Sequence, residues 1–95
     1  MLLPGRSSRG GAARACVFTG EQYKKYARIS LDAARKIART AFSGIITSEE
    51  LERERGGSGV RYSFDIRKNG ITREVGVDAV TGRILENSLE GPDSD

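Results

Sequence analysis

Ile71-Thr72-Arg73-Glu74-Val75-Gly76-Val77-Asp78-Ala79-Val80-Thr81-Gly82-Arg83-Ile84-Leu85 reads as a strand, a tight turn and a return strand. Val75 and Val77 alternate with Gly76 and Asp78, the period of two expected of a half-buried strand. Gly82 supplies the positive φ that closes a short connection without steric cost. Upstream, Val60, Tyr62, Phe64 and Ile66 alternate with Arg61, Ser63, Asp65 and Arg67, which makes 60–68 the clearest strand in the chain. Asn69-Gly70 between these two strands is the strongest two-residue hairpin signal, a type I′ turn.

Two further elements complete the frame. Ser30 to Phe42 reads as the main helix, with Ser30 as N-cap and Asp32 in the first turn against the positive end of the dipole. Ile29 and Ala34 stand at hydrophobic-staple positions, and Ala34, Ile37, Ala38 and Ala41 form a narrow apolar stripe with Phe42 beside it. Arg35, Lys36 and Arg39 are placed on the outer side, and Gly44 is read as a left-handed C-cap. Residues 45–55 read as a polar strand, although Ser48 to Arg53 also suits a helix by propensity. Ile45-Ile46-Thr47 and the Gly56-Gly57-Ser58-Gly59 turn favour the strand. Tyr23 and Tyr26, three residues apart, are expected to pack on the core from a helical turn before the main helix.

The turns imply a register. A two-residue loop at 69–70 sets Phe64 opposite Val75 and Tyr62 opposite Val77. Four-residue loops at 56–59 and 79–82 set Leu51 opposite Phe64 and Val77 opposite Ile84. The expected fold is therefore α+β, a four-stranded antiparallel meander sheet with one main α-helix packed on one face. Residues 1–20 read as a disordered basic leader, 21–90 as a single domain and 91–95 as a frayed acidic tail.

Composition narrows the chemistry. The chain has 95 residues, no histidine and one cysteine, Cys16. That removes most zinc sites, histidine acid–base pairs and any internal disulfide. Cys16 reads as an incidental thiol with no base to activate it. The net charge of +3 belongs to the leader, where Arg6, Arg9 and Arg14 meet no acid; residues 21–95 balance thirteen bases against thirteen acids. No apolar run is long enough to span a membrane. Met1-Leu2-Leu3 is too short for the apolar core of a signal peptide, although Ala13-Arg14-Ala15 before Cys16 has the small residues of a cleavage site. The Gly56–Gly59 turn lacks the lysine and following helix of a phosphate loop, and reads as a flexible tip able to enter a cleft.

Two surfaces are candidate sites. On the open face of the sheet, the register sets Glu50 opposite Asp65 and Asp65 opposite Glu74, a row of carboxylates flanked by Arg61 and Arg67. Such a row suits a basic partner segment or a weak cation site of oxygen ligands. It also suits a solvated face screened by salt and by Arg61, Arg67 and Arg73. Lys24, Lys25, Arg28, Arg35, Lys36 and Arg39 form a basic patch that could contact nucleic acid or an anionic surface, or serve as the charged outer side of a helix.

The ordered set of elements resembles a PepSY domain, a small module named for peptidase propeptides and a spore-germination protein family. The resemblance is carried by Ile29-Ser30-Leu31-Asp32-Ala33-Ala34, Ala41-Phe42-Ser43-Gly44-Ile45-Ile46, Glu49-Glu50-Leu51-Glu52, Val60-Arg61-Tyr62-Ser63-Phe64-Asp65-Ile66 and the stretch from Glu74 to Leu85. It spans about residues 27–88. It implies a non-enzymatic, extracytoplasmic protein-binding module that inhibits peptidases or regulates their local activity, with no catalytic residue, cofactor or metal. The partner would dock on the exposed sheet, its edges or its loops. The edges near 45–55 and 83–88 could also pair two copies into a dimer.

Overall fold

The computed structural model describes residues 17–92. Its elements are β1 (Phe18–Thr19), a 3-10 helix (Glu21–Tyr26), α1 (Leu31–Ala41), β2 (Ile45–Arg53), β3 (Val60–Lys68), β4 (Ile71–Asp78) and β5 (Ile84–Pro92). The strands lie in the order β1-β2-β3-β4-β5. β2 to β5 form the expected antiparallel meander. The sheet nevertheless has five strands and is mixed, because β1 pairs parallel to β2 with Phe18 opposite Glu49 and Thr19 opposite Glu50. This strand falls inside the segment expected to be disordered. Two residues carry too short a pattern to announce a strand, and tertiary contact decides the case. Gly20 makes the pairing possible: it sits at φ +98, and a Cβ there would overlap the Leu51 carbonyl. Residues 1–16, including Cys16, and residues 93–95 lie outside the described residues. At the other end β5 runs through Gly91 and Pro92, two residues expected to fray.

One register differs from expectation and the others agree. Phe64 faces Val75, Tyr62 faces Val77 and Val77 faces Ile84. Leu51, however, faces Tyr62, and Glu49 takes the place opposite Phe64. The cause is the turn after β2, which uses all six residues from 54 to 59 rather than four; the Glu54 N–H donates to the Gly59 carbonyl. A slip of two residues preserves the faces of the pleat, so Leu51 stays in the core. A bulge at Thr47 lets Ile46, Glu49 and Leu51 all face inward. Asn69 and Gly70 both have positive φ, as a type I′ turn requires.

The helix begins and ends where its sequence directs. The Ser30 hydroxyl accepts from the Ala33 N–H at 3.1 Å, and the Phe42 N–H donates to the Ala38 carbonyl. Ala34 and Ala38 are fully buried against the sheet, and their small side chains permit close approach. Gly44 is not a left-handed cap. It is needed because a Cβ would come within 2.6 Å of the Arg67 carbonyl. The helix entry is tied to the sheet by the Arg28 and Ile29 N–H groups donating to Ala79, and by the Tyr62 hydroxyl donating to the Ile29 carbonyl at 2.8 Å. The core between the layers holds Leu51, Tyr62, Phe64, Ile66, Val75 and Val77. Burial of each such side chain contributes about 1.5–3 kcal/mol. Tyr23 packs on this core as expected, but Tyr26 is exposed, with the Arg53 guanidinium over its ring at 4.5 Å.

Candidate functional site

The helix covers one face of the sheet and leaves the other open. Alternation places Glu50 and Glu52 of β2, Arg61, Ser63 and Asp65 of β3, and Glu74 of β4 on the open face. Among the described residues this face is polar, yet Arg61, Ser63 and Thr72 on it are buried. The 54–59 turn curls onto the Arg61 end of the face, where the Arg55 carbonyl meets Arg61 and the Ser58 N–H meets Asp78.

Asp78 and Arg61 hold that turn. Asp78 is 1% exposed and accepts from the Ser58 N–H at 2.8 Å, the Val80 N–H at 2.8 Å and the Thr81 N–H at 3.0 Å. Burial works to raise its pKa, but the donors from Thr81, Val80 and Ser58 together outweigh it and hold the carboxyl below its ordinary value. The Arg61 guanidinium donates to the Arg55 carbonyl at 3.0 Å and lies 3.6 Å from Glu86 and 3.7 Å from Glu54. Its Nε is buried without a partner. The Gly56–Gly59 tip is thus fastened to its own sheet rather than projecting as a free probe. A Cβ at Gly57 would meet the Asp78 carboxylate and the Leu85 side chain.

At the other end the carboxylates gather. Asp65 faces Glu74 as the sequence predicts, and carboxylate oxygens of Asp65, Glu74 and Glu90 all lie within 4.8 Å of one another. Burial, then Glu86, Glu90, Asp65 and Glu52, push the Glu74 carboxyl up from its ordinary 4.5 to about 7. Glu50 does not face Asp65. The six-residue turn puts Ser63 opposite Glu50 and Ser48 opposite Asp65. Glu50 instead adjoins Glu52, and the hydrogen bond between them, followed by burial, raises its pKa. Glu52 also accepts from the Ser63 hydroxyl at 2.6 Å. The third member of the carboxylate row is therefore Glu90, which the sequence reading placed at the edge of a frayed tail. Arg67 is exposed near the Asn69-Gly70 turn, away from the Glu86 end where Arg61 sits. Chemically the three carboxylates offer oxygen ligands to a hard cation or a counter-charge to a basic side chain.

The basic patch is less unified than the sequence suggests. Arg35 is not an outward-facing charge: its Nε and Nη2 fork onto Glu49 at 2.9 and 2.7 Å, and its Nη1 reaches Asp32 at 2.8 Å. Sequence reading missed this pair although the signal was there: the alternation that puts Leu51 in the core also turns Glu49, two residues earlier, to the helix side. Lys24 is 3.6 Å from Glu21, and Lys25 lies over the Tyr26 ring. Lys24 and Arg28 line an open cleft of about 510 Å³ beside the start of α1, with Phe18, Leu31 and Tyr62 as its apolar wall. Lys36 and Arg39 are exposed on the helix, outside that cleft.

No described helix is long and apolar enough to cross a membrane. Neither a curated protein nor a solved structure matches the chain. The PepSY family model, described as peptidase propeptide and YPEB domain, matches residues 28–87. That span runs from the strap that ties α1 to Ala79, through α1 and β2 to β4, to Asn87 in β5. A match over this much of the chain, in the element order the structure displays, means that the chain belongs to the PepSY family.

Proposed function

We propose that this protein is a non-catalytic binding module that engages another protein, of the peptidase class its family is named for, through the open face of its sheet. The observation that carries the reading is the Asp65–Glu74–Glu90 cluster. Folding does not require three carboxylates on one uncovered face, and like charges set opposite each other cost stability. Arrangements of this kind that the fold does not need are characteristic of binding surfaces. The companion reading of compartment is extracytoplasmic, the usual setting of the family. Among the described residues, the Ser63 and Ser88 hydroxyls of this face donate to the Glu52 and Glu86 carboxylates.

Affinity capture from separated envelope and cytosolic fractions of the native organism tests this. The wild-type protein should retain a peptidase from the envelope fraction, and the Asp65→Asn/Glu74→Gln variant should retain much less. The captured peptidase should change in activity when the module is added. Recovery of nucleic acid with no protein partner would refute the reading.

A further inference from the structure

The two edges of the sheet are finished differently. Along β2, β1 already covers Glu49 and Glu50 by parallel strand addition. Along β5, the last strand in the order, no described strand covers the outer side. Its register against β4 shifts at Gly76/Val77 and at Thr72/Arg73, so a regular stretch remains from Glu86 to Leu89. The two sides of that stretch differ in chemistry. Glu86 and Ser88 are linked by a hydrogen bond on the open face, where Glu90 joins Asp65 and Glu74. On the helix side Leu89 is 59% exposed and Ile84 40% exposed, large apolar side chains left at the rim of the core.

We propose that an extended segment of the partner, alternating lysine or arginine with aliphatic residues, adds to the sheet as a sixth strand along β5. Its basic side chains lie on the open face beside Glu86 and Glu90, and its aliphatic side chains cover Leu89. The proposal rests on the protein-binding reading above and names the partner's chemistry. Backbone groups on the outer side of an edge strand supply affinity to any extended peptide, and alternate side chains supply the selection. Charge complementarity selects a basic segment. The same charges disfavour a second copy of this chain: antiparallel pairing centred on Ser88 would set Glu86 opposite Glu90, carboxylate against carboxylate.

The test uses the full chain and three capped peptides of about six residues: alternating Lys-Val, alternating Glu-Val, and Lys-Val with alternate backbone nitrogens methylated. The methylated peptide keeps the charge and apolar faces but lacks the strand-pairing donors. The Lys-Val peptide should bind at least about tenfold more tightly than either of the others. Its binding should slow amide exchange across 86–89, and Glu90→Lys should weaken it by a similar factor. Equal binding of the methylated peptide, or protection elsewhere in the chain, would overturn strand addition at β5. Failure of the Lys-Val peptide to bind would overturn the basic partner. Capture of the native partner separates this proposal from the broader one: a peptidase retained equally by Leu89→Lys/Glu90→Lys and wild type overturns the β5 route and leaves the binding module standing. Capture of no protein by wild type removes both.

Discussion

Asp78 is almost wholly buried and yet is held in its charged form by three backbone N–H groups. It couples the turn after β4 to the turn after β2, since Val80 and Thr81 lie in one and Ser58 in the other. Removing it orphans all three donors, so Asp78→Ala should cost about 3 kcal/mol in a denaturant titration. Its folded pKa lies below the ordinary 3.8, so the unfolded chain binds the proton first as pH falls. The stability Asp78 confers is complete above about pH 4 and is lost below it, a loss the alanine variant should not show. Glu74 has the opposite sign. Its folded pKa is about 7 against an ordinary 4.5, so the folded protein holds the proton more tightly between those values. Its favourable contribution is complete below about pH 4.5 and disappears as pH rises through about 7. Glu74→Gln should flatten that decline and leave the protein more stable at pH 8, by under about 1 kcal/mol because solvent screens this partly exposed group. A decrease in stability at pH 8 would mean that the carboxylates attract something in the fold rather than repel one another.

At the scale of elements, the helix and sheet are joined by apolar packing and by the Arg35–Glu49 ion pair across the layers. The Glu49 side chain is 4% exposed and Arg35 33% exposed, and the guanidinium fork satisfies both carboxylate oxygens. Glu49→Ala should cost about 2–3 kcal/mol, less than for a fully buried pair because Arg35 reaches solvent. The Glu49→Leu/Arg35→Met double variant should recover most of it, and thermal melts of the three proteins would give the coupling. β1 is held more lightly. Gly20→Ala drives a methyl group into the Leu51 carbonyl, so it should release Phe18 and Thr19 from β2 while the meander persists. Amide exchange should accelerate in β1 and on the outer side of β2 but not in β3 or β4. These elements differ in how plainly the sequence writes them. β3 alternates over eight residues, Asn69-Gly70 names its own turn, and Ser30 marks the helix start, because each is decided by local chemistry. The six-residue turn, the Thr47 bulge and β1 are decided by contacts between distant segments. The Asp65–Glu74 pair was legible because it depends only on the two-residue turn; Glu50 was misplaced and Glu90 missed because each depends on an irregular register.

The molecule as a whole separates its charges by layer. Residues 21–95 carry as many acids as bases, but on the helix side Lys24, Lys25, Arg28, Arg35, Lys36 and Arg39 outnumber Glu21, Asp32 and Glu49, while on the open sheet face Glu50, Glu52, Asp65, Glu74, Glu86 and Glu90 outnumber Arg61 and Arg67. A neutral body with faces of opposite sign has no net-charge attraction to a charged partner, but the partner's field turns the oppositely charged face toward it. The helix side therefore has to be judged by how many of its cations could meet phosphates. Arg35 is engaged by Glu49 and Asp32, and Lys24 by Glu21, which leaves Lys25, Arg28, Lys36 and Arg39. Four phosphate contacts give a salt slope near −3.6, so binding to a mixed-sequence duplex should weaken about a hundredfold between 50 and 200 mM salt. Lys36→Glu/Arg39→Glu should remove about half of that slope, whereas Glu74→Gln should leave it unchanged. Micromolar affinity that survives 200 mM salt and vanishes in the Lys36→Glu/Arg39→Glu variant would assign nucleic-acid binding to the helix layer. The open face would then be the side turned away from the ligand. Weak, salt-labile binding leaves the acidic face as the surface where charge is concentrated against the interest of folding, and where a basic partner would restore the balance.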